Sequence, residues 1–236
     1  MSDSHSENKP ADIPIEATDP EQSRRIIEDF LHNKQAELDA LPADAPATQR
    51  AELQLEIAQA MVGIGREDEA WALARSAFDV FLQNEAWQQA VECCDVLYQS
   101  NQPASLSALG MGVWLAVTYP IEPSLSVNML SYIVDETPPK ADGAAVAAVT
   151  AHYIADLRTE GKEHESLTFL TREMVARVAE GHSGVTDQDS LNAWMERLQL
   201  RDPDSFLPKL ALVIGAIVPA EQWWFDRDAL RDKLPD

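Results

Sequence analysis

Five histidines, two cysteines and one dense aromatic cluster are the side chains here whose chemistry could define a function. Histidine and carboxylate together can hold iron, and a helical di-iron site needs glutamate three residues ahead of histidine on two inward-facing helices. Asp29 stands at that spacing before His32, Val149 before His152 and Gly161 before His164, so none of these supplies the Glu-x-x-His pair. The sequence also lacks HExxH, a P-loop, Gly-x-Gly-x-x-Gly and Gly-x-Ser-x-Gly. Cys93 and Cys94 are adjacent, whereas thiolate metal sites use spacings such as CxxC. Neighbouring residues on a helix point about 100° apart, so the pair reads as a core residue, Cys94, beside a helix-flank residue, Cys93. Trp223, Trp224 and Phe225 lie beside Arg227, and tryptophan and arginine are enriched among interface anchors. The same rings could instead fold back and seal a helical stack. The expectation is a chain without metal, cofactor or catalytic residues, acting by contact.

Charge narrows the class of contact. Lys and Arg number 18 against 40 Asp and Glu, a net −22 with pI near 4.4. Such a surface repels nucleic-acid phosphates and anionic lipid, which argues against both as partners, and it would steer a basic protein or peptide inward. An acidic surface also serves solubility. A disulfide between adjacent cysteines is strained, so a reducing, cytoplasmic setting is expected. The opening residues carry neither a basic n-region nor an apolar h-region, so no signal peptide is expected. The most apolar run, Leu210 to Val218, is too short to span a bilayer.

The elements that must position these residues read as helices throughout. Residues 1–19 are polar and proline-bearing, and are expected to form a disordered acidic tail; Ile13 and Ile15 could serve there as a recognition segment. Residues 20–236 then form one all-α, helical-repeat-like domain. A first helix is predicted over 21–41, ended by Pro42 and Pro46. Thr48 to Leu82 is the clearest unit: Leu53, Ile57, Met61 and Ile64 share a face, Gly65 stops the run, and Ala70, Ala74, Ala77 and Phe81 resume it. Helices joined by so short a turn must lie antiparallel. Asn84 is predicted to cap a helix running to about Ser100. Ala104 to Thr118 is apolar nearly all round and must be buried, with Gly110 and Gly112 admitting close neighbours. After a turn at 119–123 comes a helix to about Val134, and Glu136-Thr-Pro-Pro139 is a candidate lobe break. Asp142 is predicted to cap a helix that Gly161 stops. Another runs over 163–180, Gly181 to Gly184 form a loop, and Thr186 with Asp189 make a capping box. A last core helix covers 205–218, with a short helix after Asp226.

Ile57, Ala58, Met61, Gly65, Ala70, Ala74 and Ala77 resemble the small-and-large pattern of a tetratricopeptide repeat. Gln54 replaces that family's usual tryptophan and Leu82 its frequent proline. A step of 34 residues, the family's period, brings Ala104 and Ala108 into register with Ala70 and Ala74, and puts Glu92 and Asp95 where the first helix should be small or apolar. The resemblance implies antiparallel hairpins stacked as an array or irregular bundle. Separately, Lys162 to Leu170, with Glu163, His164, Leu167 and Phe169, resembles a motif of the NarJ/TorD-type chaperones, acidic helical proteins that assist maturation of redox enzymes. That likeness implies a client-peptide surface near His164.

Two functions follow as expectations. The first is a non-enzymatic intracellular adaptor that binds a protein or peptide in the groove between hairpins, with Glu67, Asp68 and Glu69 of the opening hairpin and Trp223, Trp224 and Arg227 in contact. The second is a maturation chaperone acting through His164.

Overall fold

The computed structural model describes residues 19–234, and among them every element is helical. In order they are α1 Pro20–Ala40, α2 Ala47–Val62, α3 Glu67–Gln83, α4 Trp87–Gln99, α5 Ser105–Thr118 and α6 Pro123–Glu136. There follow α7 Asp142–Arg158, α8 Gly161–Ser183, α9 Gln188–Arg197, α10 Pro203–Ile217, a single 3-10 turn Ala220–Gln222, and α11 Arg227–Arg231. The tail expected over 1–19 lies outside the described residues except for Asp19, whose carboxylate accepts the Glu21 N–H at 3.0 Å and caps α1.

The α2–α3 hairpin forms as its spacing predicts. Gly65 turns the chain at φ +76°, a left-handed conformation that glycine adopts without steric cost. Ala58 on α2 and Ala70, Ala74 and Ala77 on α3 are fully buried, so the two backbones approach closely. From α4 to α8 each helix packs on its predecessor, α4 on α3, α5 on α4, α6 on α5, α7 on α6 and α8 on α7, making an array of hairpins. The proline break at 136–140 is the connection between α6 and α7, which pack against each other across it. In α5 the two glycines have distinct neighbours: a Cβ on Gly110 would collide with Val218 and Ile217, and one on Gly112 with Met129 and with Cys94 Cβ at 2.6 Å.

Local boundaries depart from expectation where capping chemistry competes. Asn84 does not start α4; it ends α3, its side-chain amide donating to Val80 O at 2.8 Å, and α4 begins at Trp87. Asp142 is the first residue of α7 and makes no side-chain cap there. Gly161 opens α8 at φ +57°, after α7 has already ended at Arg158. The helix expected to end at Glu180 continues through Gly181 and His182, and Gly184 stops it in the left-handed conformation at φ +66°. The capping box belongs to Asp187 and Ser190, one residue on from the expected pair. Cys93 is as buried as Cys94, because α3 and α5 enclose α4.

The C-terminal third makes the architecture asymmetric. The first helices of successive hairpins, α2, α4, α6 and α8, lie on one side, with direct contacts between α2 and α4 and between α6 and α8. The second helices α3, α5 and α7 lie on the other. There α10 returns to pack against α5 and α7, and the Trp223–Phe225 strap crosses α3 and α5. One side of the array is therefore covered by the chain itself.

Candidate functional site

On the uncovered side, α2, α4 and α6 enclose an open groove of about 630 Å³. Its walls carry Glu52 and Glu56 from α2, Glu92 and Asp95 from α4, and Glu122 at the start of α6, with no basic residue lining it. The α4 acids are held in place. The Gln88 side-chain amide, one helical turn before Glu92, donates through Nε2 to Glu92 Oε1 at 2.9 Å, and its Oε1 accepts the Glu122 backbone N–H at 3.0 Å, tying α4 to α6. Burial, reinforced by the charges of Glu122 and Asp95, holds the Glu92 carboxyl above the usual range; the Gln88 hydrogen bond opposes this. Burial also raises the Asp95 carboxyl. Asp95 Oδ1 is shut off from water and meets no hydrogen-bond donor among the described residues. Glu56 differs: Lys34 of α1 reaches its Oε2 at 2.8 Å, and that pairing raises the Lys34 ammonium.

Past Ser124 and Asn128 of α6, which belong to both, the groove continues into a second one of about 550 Å³ between α6 and α8. Val127, Leu167, Leu170 and Met174 make this part largely apolar, with Glu173 and Arg177 among its lining residues. Those two also line a third depression between α8 and α9, of about 540 Å³. The three form one track along the side of the array that the C-terminus leaves open.

None of the sequence-predicted site residues lies on this track. Glu67, Asp68 and Glu69 occupy the first turn of α3, where negative charge complements the helix N-terminus. Glu69 makes a two-pronged ion pair with Arg66, which lowers its carboxyl, and Asp68 accepts from Gln102 at 2.7 Å. Trp224 packs edge-on to Trp71 and Phe78 with the Arg75 guanidinium 4.2 Å over its ring. Trp223 packs edge-on to Trp114 and takes Arg227 over its face at 4.2 Å. His164 sits at the start of α8, 3.7 Å from Asp156 and 3.3 Å from the Thr159 hydroxyl.

One constellation invisible to motif search is a Ser-His-Asp series. His182 Nε2 lies 3.1 Å from Asp142 Oδ1, and Nδ1 lies 2.7 Å from Ser183 Oγ. A nucleophile needs a free base and donors for a developing oxyanion. Here the Trp194 indole N–H already donates to His182 Nδ1, and Arg197 already donates to Ser183 Oγ at 2.7 Å. The next backbone N–H groups, Gly184 and Val185, bond to Glu180 O and Ala179 O. The cluster fastens α7, α8 and α9 together. Cys93 and Cys94 are also withdrawn from chemistry, since burial pushes both thiols far above their ordinary value.

Among the described residues no group of three or more His, Cys, Asp or Glu side chains converges as a metal site, and no helix is long and apolar enough to cross a membrane. The chain matches no family model, no curated protein and no solved structure.

Proposed function

We propose that this chain is a non-enzymatic intracellular adaptor, of the stacked-hairpin kind that residues 48–82 resemble, and that it takes a basic peptide segment of a partner protein along α2, α4 and α6. The observation that carries the reading is the pairing of Glu92 and Asp95 in the wall of an open groove. Both are held above the usual carboxyl range by burial, and both stand where the hairpin pattern calls for small or apolar residues. Desolvated carboxylates lower stability unless a cation meets them. A lysine or arginine side chain laid in the groove supplies one, and the surrounding acids steer it there.

The test is a titration of the full chain with a fluorescein-labelled twelve-residue peptide of alternating arginine and alanine, followed by anisotropy. Affinity is expected to fall as salt rises from about 0.05 to about 0.5 M, as screening shortens the reach of the carboxylates. It should fall roughly tenfold or more in the Glu92→Gln, Asp95→Asn double variant, which removes two charge-assisted hydrogen bonds. Neutralising Glu67, Asp68 and Glu69, off the groove, should change it far less. A peptide that binds the double variant as well as the natural chain, or binds neither, overturns the reading.

A further inference from the structure

The acidic groove does not end at α6. Ser124 and Asn128 form a shared saddle, beyond which the walls change character: carboxylates on the α2–α4–α6 side, Val127, Leu167, Leu170 and Met174 on the α6–α8 side. Leu170 is 57% exposed among the described residues. It faces a continuous depression and is no isolated surface leucine, so apolar surface set against it is removed from water on both partners. The charges lining the apolar half, Glu173 and Arg177, are of opposite sign. A single-signed field therefore exists at only one end of the track, and that fixes which way a ligand lies in it.

We infer that the ligand is a bipartite polypeptide segment, with arginine or lysine over Glu92 and Asp95 and leucine-like or aromatic side chains over Leu167, Leu170 and Met174. This rests on the adaptor reading above and adds to it the second anchor, its chemistry and its spacing. The acid pair sits on α4 and the apolar half lies between α6 and α8, one and a half helix spacings away. At the 8–10 Å of packed helices that is about 12–15 Å at the least, the reach of four or more extended residues. The two anchors act as linked sites: once the basic end is seated, the apolar end binds from a high effective concentration.

Fluorescein-labelled synthetic peptides on the full chain test this. One carries two arginines, one carries leucine and phenylalanine, and a bipartite pair joins the two through a four-residue Gly-Ser spacer in either order. One bipartite order is expected to bind roughly tenfold or more tighter than the arginine peptide alone, and shortening its spacer to nothing should abolish that gain. Leu170→Glu should also abolish the gain while leaving the arginine peptide's affinity unchanged; the exposed position lets this variant fold, which circular dichroism checks, and Leu170→Ser repeats the test without added charge. If the bipartite and arginine peptides bind alike, or Leu170→Glu and Leu170→Ser change nothing, the bipartite inference is overturned and the adaptor reading stands. If no peptide binds, or binding ignores Glu92→Gln and Asp95→Asn, both fall together.

Discussion

Gly112 shows how little room the packed helices leave one another. A methyl there would meet Cys94 Cβ at 2.6 Å, an atom fixed to the α4 backbone, and the Met129 methyl on the other side. The methionine can swing aside; the cysteine Cβ moves only if α4 moves. Gly112→Ala is therefore expected to cost about 1–3 kcal/mol, the range for overpacking a filled core. Urea unfolding checks this, with melting expected to fall by about 2–4 °C for each kcal/mol in a chain of this size. Serine at Cys94 would keep the crowding, since it retains the same Cβ.

At the scale of the element, α4 is a helix in conflict with itself. One face, with Ala90, Val91, Cys94 and Leu97, is fully buried and holds the array together. The other puts Glu92 and Asp95 into the groove with raised carboxyls. A carboxyl raised on folding lowers stability wherever it is ionised. The cost is absent in acid below the ordinary carboxylate range, where the group is protonated folded and unfolded alike, and complete above the raised folded value. Asp95→Asn is accordingly expected to raise the unfolding midpoint at pH 7, with the gain shrinking as the buffer approaches about pH 4. Thermal melts of both chains across that range measure it. A stabilising substitution that abolishes arginine-peptide binding would mark the carboxylate as retained for contact rather than for folding.

On the scale of the whole molecule, the decisive feature is how the C-terminus closes one side. Arg158 of α7 donates to Ala116 O and Val117 O at 2.8 and 3.0 Å, capping the last turn of α5 from a neighbouring helix. Tyr119, stacked on Trp87 at 4.0 Å, donates through its hydroxyl to Leu230 O at 3.3 Å. The Lys233–Glu85 ion pair is exposed and contributes little; the aromatic strap provides the attachment. Trp224→Ala is expected to cost about 2–3 kcal/mol, below the roughly 3–5 kcal/mol of a fully buried tryptophan because the ring is only half-buried. Since the strap and the groove lie on opposite sides, peptide affinity should not change in this variant at temperatures where it stays folded. Loss of affinity in the folded variant would mean the two sides are coupled.

How much of this was legible beforehand follows from the range of the forces involved. Periodicity and turn residues act within a few positions, so the all-α class, the α2–α3 hairpin with its Gly65 turn, the burial of α5 and the short helix after Asp226 could all be read directly. Asn84 and Thr186 could not be resolved in that way, since a polar side chain can cap whichever neighbouring helix end first offers it an unpaired backbone group. The groove was beyond reach for a different reason. Glu52, Glu92 and Glu122 lie on three helices and become neighbours only when those helices stack, so no local pattern joins them; the one trace was that Glu92 and Asp95 broke the hairpin pattern. Which side stays open was likewise decided in three dimensions, because Trp223, Trp224 and α10 have apolar surface to bury and the sequence alone does not say against which helices. Composition and spacing determined the kind of object; only tertiary packing decided where its free surface lies.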